Sequence, residues 1–383
     1  MTTGTSARTD SRRLTGPSRL LRRTGAVIEV ALPDADAERL MAAWRRQARR
    51  ILDALGWQEE LAEIRFPGGA SLAFTAPPDA LYSATEVNEW AWDAAVISAA
   101  GGPEPTLEEA AATLGVRIAR ERNPALIALR DAARDHGVAF LADTRSVSVG
   151  LGTGSRTWPV AELPAPGSVP WREVHDVPTV LVTGSNGKTT TVRLLAALVA
   201  AGGRVPGQST TDGVTVAGDV LVRGDYAGPE GARLLLRDHR VETAILETAR
   251  GGILRRGLAV ERADVAVVTN IAEDHFGEFG VFDCAGLADT KLVVARVVPP
   301  SGRVVLNADD PWLVEGARRV RAPIAWFSLD PRNPTVGAQI AAGGDACVVD
   351  GGAFVLARGG ARETVAPVSA LAITFGGAAR HNV

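Results

Sequence analysis

The residues best equipped for chemistry lie in 177–198, VPTVLVTGSNGKTTTVRLLAAL. Val180, Leu181 and Val182 form the short apolar run expected of a strand covered on both faces. Gly184 and Gly187 permit a turn in which backbone N–H groups, those of Ser185 and Asn186 among them, face an anion. Lys188, Thr189 and Thr190 then open a helix with apolar positions at Val192, Leu195, Leu198 and Val199. A polyphosphate at such a helix start meets unpaired N–H donors, the positive end of the helix dipole and an ammonium group. The Thr189 hydroxyl suits the magnesium ion that accompanies the phosphates. The spacing is a variant, because Val182 stands where the usual phosphate loop has its first glycine.

Three further strand ends carry polar residues, and ligands of parallel α/β sheets gather at the carboxyl ends of strands. Glu247 closes TAILE and is a candidate magnesium ligand. Arg250, close behind it, suits a phosphate or carboxylate, or equally a solvated surface. Asn270 closes DVAVVTN, with Asp274 and His275 in the loop beyond; a neutral imidazole there can hold a metal. Asn307-Ala-Asp-Asp310 closes the last. Lys291 falls in an expected helix and, read locally, is a solvent-facing lysine.

Positioning these groups requires alternating strands and helices from residue 177 onward. That alternation predicts an α/β fold with a doubly wound, mostly parallel sheet over 177–383, with an antiparallel extension after about 335. Gly213–Gly224 reads as a hairpin about Gly218-Asp219. Before it, 1–24 reads as a loose basic tail, 25–160 as a smaller α+β domain and 161–176, rich in proline, as a linker. Within the smaller domain, Ser83/Glu86 and Thr106/Glu109 have capping-box spacing, and Asn123-Pro124 starts a helix. Gly150-Leu-Gly-Thr-Gly-Ser155 is a poor dinucleotide fingerprint, because serine replaces the last glycine.

Composition bounds the function. The chain has 383 residues, 41 Lys plus Arg and 44 Asp plus Glu, a net charge of −3. That balance gives no reason to expect a nucleic-acid partner. No apolar run reaches the length of a membrane-spanning helix, so no membrane partner is expected. Two cysteines without metal-ligand spacing fit a reducing compartment, and a cytoplasmic location is expected.

Taken together, Gly-Ser-Asn-Gly-Lys-Thr-Thr, Glu247-Thr-Ala-Arg-Gly-Gly, Thr269-Asn-Ile-Ala-Glu-Asp-His, Lys291, Asn307-Ala-Asp-Asp-Pro and Arg380-His-Asn resemble the central domain of the Mur ligase family. The Glu-Thr-Ala-Arg-Gly-Gly element is most similar to the Mur-like half of the cyanophycin synthetases. The resemblance implies an ATP-dependent ligase joining an acceptor carboxylate, peptide-like, to an amino acid through an acyl phosphate. It implies ATP and Mg²⁺ as cofactors, and a homo-oligomer is compatible with it. By motif, Lys188 would hold the β- and γ-phosphates, Thr189 and Glu247 the first metal, and His275 a second. Lys291 would match a lysine that many members carbamylate, and Asn382 an asparagine that contacts adenine. Members of the family continue beyond the position of Val383, so the resemblance also implies a truncated chain that turns over poorly. Two other readings stay open on the residues alone: a nucleotide-binding module without chemistry, and a phosphate-loop small-molecule kinase.

Overall fold

The computed structural model describes residues 8–103, 105–273, 276–380 and 383. Residues 8–121 form a four-stranded antiparallel sheet of β1 (Arg8–Leu14), β2 (Gly25–Ala31), β3 (Leu61–Phe66) and β4 (Gly69–Thr75), in the order β1-β2-β4-β3. Helices α1 (Ala37–Ala54), α2 (Leu81–Ala99) and α3 (Leu107–Glu121) share its core. Asn88, fully buried on α2, ties the layers together: it accepts from Trp44 Nε1 at 2.9 Å and donates to the Leu72 carbonyl at 2.9 Å.

Strand β1 corrects the expected loose tail. Its arginines do not repel one another into solvent, because partners take them up. Arg12 donates to Glu29 at 2.8 Å, to Asp10 at 2.6 Å and to the Leu254 carbonyl at 3.1 Å, while Leu14 and Leu21 are buried. The helix starts also differ from expectation. Helix α2 begins before Ser83, and its first amides, those of Tyr82 and Ser83, are capped at 2.8 and 2.7 Å by Glu121 from the far end of α3. Thr106 is the N-cap of α3 without a side-chain bond.

A second small unit follows. Helix α4 (Pro124–Asp135), capped by Asn123, packs on a three-stranded antiparallel sheet of β5 (Phe140–Ala142), β6 (Ser146–Val149) and β7 (Arg156–Pro159). The segment expected as a linker is part of this unit: Val169 and Val174 are buried against Leu129 and Val147. The glycines at 150–154 serve close packing. A Cβ on Gly152 would sit 2.3 Å from the Val241 carbonyl, where this unit abuts the large sheet.

The large sheet has eleven described strands. Its parallel centre comprises β8 (Thr179–Thr183), β9 (Pro206–Thr210), β12 (Thr243–Glu247), β13 (Val265–Val268), β14 (Arg303–Asn307), β15 (Ile324–Ser328) and β16 (Ala346–Asp350). Antiparallel strands β10 (Gly213–Val216) and β11 (Asp219–Arg223) extend one edge, and β17 (Ala353–Arg358) and β18 (Ala361–Pro367) the other. The β10–β11 hairpin turns at Ala217-Gly218, both with positive φ. Both faces of the sheet are covered, as the continuous apolar strands require. Leu181 and Leu246 face the main core, while their neighbours Val182 and Ile245 face α5 (Lys188–Ala201) through Val192 and Ala196. The remaining connections run through α6 (Pro229–Leu236), α7 (Arg250–Arg256), α8 (Cys284–Lys291), α9 (Pro311–Gly316) and α10 (Pro334–Ala341). No helix among the described residues is long and apolar enough to cross a membrane.

Strand order places the site. The sheet runs β9-β12-β8-β13-β14 through its centre. The first parallel strand, β8, is therefore flanked by β12 on one side and β13 on the other, so the chain reverses direction across the sheet at β8. The loop after β8 opens into the crevice at this switch point, between the carboxyl ends of its two neighbours.

Candidate functional site

The phosphate loop is shaped by two glycines and fastened by its neighbours. Gly187 adopts φ +81° and is the N-cap of α5, which leaves the amides of the first turn pointing out of the helix. Gly184 has φ +149°, and a Cβ there would lie 1.8 Å from Thr269 Oγ1. That close approach lets β13's end clamp the loop. Thr269 Oγ1 donates to the Asn186 carbonyl at 2.6 Å. Asn270 brackets the same residue, accepting from Asn186 N at 2.9 Å and donating to Asn186 O at 3.2 Å. Ser185 completes the clamp: its amide donates to the Asn270 carbonyl, and its hydroxyl bonds the backbone of Ala272. Behind this, Asn307 donates to the Thr269 carbonyl, and Asp310 both caps α9 and accepts from Ile271 N at 2.6 Å.

Glu247, at the end of β12, lies against the opening turn of α5. Thr189 Oγ1 donates to Glu247 Oε2 at 2.8 Å and lies 3.3 Å from the Thr211 hydroxyl. Glu247 is 2% exposed, and its Oε1 is buried with no hydrogen-bond partner among the described residues. Burial raises the carboxyl above its ordinary range; the Thr189 hydrogen bond, the Lys188 charge and the Thr211 amide oppose the shift. A hydroxyl and a carboxylate oxygen are donors of the kind a hard, oxygen-seeking divalent cation takes.

Both lysines converge here. Lys188 Nζ donates to its own loop at Ser185 O, 3.1 Å away. Lys291 is 1% exposed, and its Nζ donates to Gly184 O at 2.8 Å. The solvent-facing reading of Lys291 is thus corrected. Helix α8 carries it under the phosphate loop, a position that local periodicity does not encode. Arg250 is not on the surface either: it is buried and paired with Glu278 at 2.8 Å. Thr190 sits exposed on the first turn of α5. His275, Asp274 and Asn382 lie outside the described residues. Sequence reading named Thr269 only as part of a motif and missed Thr211 altogether. The signal for both was their place at strand ends beside the loop.

A crevice of ≈ 2700 Å³ runs from Lys188 and Lys291 along α6 and α7 to β1 and the small sheet. A glycine turn at a helix N-terminus, a threonine–carboxylate pair and two inward lysines meet at the sheet's switch point, the place where ligands of doubly wound α/β folds gather. More narrowly, residues 182–346, which include most of the large sheet, match the Mur ligase middle domain family.

Among curated proteins, the chain is 42% identical over 221 residues to the cyanophycin synthetase of Synechocystis sp., covering 58% of this chain and 25% of that protein. It is 45% identical over 204 residues to the cyanophycin synthetase of Trichormus variabilis, 53% of this chain and 22% of the other. It is 30% identical over 158 residues to the UDP-N-acetylmuramoyl-L-alanyl-D-glutamate–2,6-diaminopimelate ligase of Chlamydia pneumoniae, 40% and 32% of the two chains. The chain therefore spans about a quarter of the length of the cyanophycin synthetases it matches. The MurF ligase of Thermotoga maritima, solved with ADP, superposes with a TM-score of 0.35 at 24% identity, over 50% of this chain and 40% of that one.

Proposed function

We propose that this chain carries out the nucleotide-dependent step of an ATP-dependent amide ligase, joining an acceptor carboxylate to an amino acid. The observation that carries the reading is the Thr189–Glu247 pair, with its unsatisfied carboxylate oxygen, at the N-terminus of α5. These residues fit Mg²⁺, which when bound neutralises charge on the β- and γ-phosphates. The amides of the 184–189 turn bind the phosphates, and Lys188 swings from Ser185 O to their oxygens. The acceptor carboxylate attacks the γ-phosphorus and ADP departs. The amine of the amino acid then attacks the acyl carbon, losing a proton as inorganic phosphate leaves. Thr269 and Asn270 hold the loop at fixed geometry during the transfer, which is mainly a matter of positioning. On motif grounds, His275 binds a second metal, Asn382 contacts adenine, and Lys291 is a candidate for carbamylation.

The test is product analysis on the purified chain with ATP, Mg²⁺, amino acids and peptides bearing free carboxylates. Equal amounts of ADP and phosphate that depend on both organic substrates are expected. Phosphate transferred stably to an acceptor without an amine would indicate a kinase. ATP binding with neither outcome would indicate a binding module.

A further inference from the structure

The segment between β13 and α8 touches the phosphate loop at both ends. At its start, Thr269, Asn270 and Ala272 bond Ser185 and Asn186. At its far end, α8 brings Lys291 Nζ to the Gly184 carbonyl at 2.8 Å. Between these ends lies a stretch, 276–283, that the proposed chemistry does not use. Val281 within it is buried in the main core. Around Val281, the contacts are with the sheet of β1–β4. Phe282 packs on Phe66 of β3, ring centroids 5.4 Å apart. Arg19 donates to the Gly280 carbonyl at 3.1 Å, and a Cβ on Gly280 would stand 2.6 Å from the Phe66 ring. The Phe279 ring lies under the Arg12 guanidinium of β1, 4.4 Å from centroid to carbon, with the Arg255 guanidinium 5.7 Å away.

Arg12 offers that ring a fixed seat. Each of its three guanidinium nitrogens donates in plane, to Asp10, Glu29 and the Leu254 carbonyl, so the plane cannot turn and its face is a ready platform for an aromatic ring. The Leu254 carbonyl is open to Arg12 because the Leu258 amide, four residues on, donates to Pro17 O instead. Arg12 therefore grips the last turn of α7 as well as Phe279. At the other end of α7, Arg250 pairs with Glu278, the neighbour of Phe279. Loop, helix and β1 are thus fastened to one another at two points. The backbone carries the cost of this arrangement. Phe279 has φ +50°, a conformation that a bulky residue keeps only where its surroundings over-determine it. Glycine would make the same turn without strain, so the position requires the ring rather than the turn.

We propose that Phe279 is a positioning residue for the nucleotide site: seated on Arg12, it fixes 276–283 against the β1–β4 sheet and so holds Asn270 and Lys291 on the phosphate loop. The small antiparallel sheet thereby acts on a site to which it gives no ligand. Phosphoryl transfer depends on placement to within about an ångström, which a loop fastened at both ends and in its middle supplies. The bearing on transfer rests on the ligase reading; the fixing of the loop does not.

The test compares three variants of the whole chain. Phe279→Gly removes the ring and relieves the backbone, so folding should survive, as thermal melting would verify. Phe279→Leu keeps apolar bulk without the aromatic face, and Phe279→Tyr keeps both. Hydrogen exchange without ligand, read by mass spectrometry, is expected to quicken about tenfold over 183–191 and 269–273 in Phe279→Gly. It should quicken less in Phe279→Leu and stay at wild-type rates in Phe279→Tyr. Calorimetric titration with magnesium and a non-hydrolysable ATP analogue should show about tenfold weaker binding in Phe279→Gly and none of that loss in Phe279→Tyr. A ring that merely packs would quicken exchange over 8–14 and 276–283 alone. Unchanged exchange over 183–191 in both Phe279→Gly and Phe279→Leu would overturn the proposal, and so would a loss in Phe279→Tyr as large as in Phe279→Gly. Quickened exchange with unaltered analogue affinity would overturn its bearing on the nucleotide. If both effects appear while amide-forming turnover is absent, the ligase reading fails and the positioning role stands.

Discussion

Glu247→Gln makes opposite demands on stability and on binding. In the protein alone, the carboxylate is nearly fully buried, with one oxygen bonded to Thr189 and the other without a partner. An unsatisfied buried acceptor costs about 1–3 kcal/mol, and more when charged. Glutamine keeps the shape and the acceptor for Thr189 but removes the charge, while its NH₂ brings a new donor that returns part of the cost. The expected net effect without ligand is a gain of about 1 kcal/mol, or roughly 1–2 °C in melting temperature for a chain of 383 residues. With magnesium and a non-hydrolysable ATP analogue the order reverses. Ligand at a hundred times its Kd stabilises the wild type by about 2.7 kcal/mol, whereas the variant lacks the metal's anionic ligand and gains little. Thermal shift assays with and without the magnesium-bound analogue read both effects. A variant less stable than wild type in the absence of ligand, or one stabilised equally by it, would refute the reasoning. The pH dependence follows the same logic. The Glu247 carboxyl is raised in the folded chain, so between its unfolded and folded values the native state binds the extra proton. Its contribution therefore lowers stability as pH rises through that window. Protons compete with the metal, so binding of the magnesium-bound analogue is expected to weaken in acid from a pH above the ordinary carboxylate range. Glu247→Gln should abolish that dependence.

Three other outcomes are expected. Gly184→Ala places a methyl against Thr269 Oγ1 at a φ that L residues rarely adopt; it should cost about 2 kcal/mol or more and abolish analogue binding, measured by melting and titration. Asn270→Ala removes both bonds to the Asn186 backbone. It should weaken analogue binding about tenfold with a smaller change in melting temperature, because the lost bonds lie in an exposed loop. Arg12→Met leaves Glu29 buried, where desolvation already raises its carboxyl. It should cost about 3–5 kcal/mol in urea unfolding, most of it recovered in the double variant with Glu29→Gln.

The amino-acid sequence by itself determined the local pieces of this protein. The strand–turn–helix of the phosphate loop was legible because glycine, lysine and threonine act through backbone conformation and helix-end geometry within a few residues. The α/β class and the strand-end placement of Glu247 and Asn270 were legible because alternation and apolar runs are short-range signals. Tertiary structure alone decided what met at the loop. No local pattern states that β12 and β13 flank β8, yet this brings Glu247 to Thr189 and Asn270 to Asn186. The order follows from burying both faces of every central strand, a condition on the whole sheet. Lys291 is the clearest case: on its own helix it is one more polar position, and only the packing of α8 beneath the loop makes it an interior ammonium. The arginines of β1 misled for the same reason. Charge count suggested a solvated tail, but a charge is satisfied by whatever the fold sets beside it, here Glu29, the Leu254 carbonyl and the walls of the crevice.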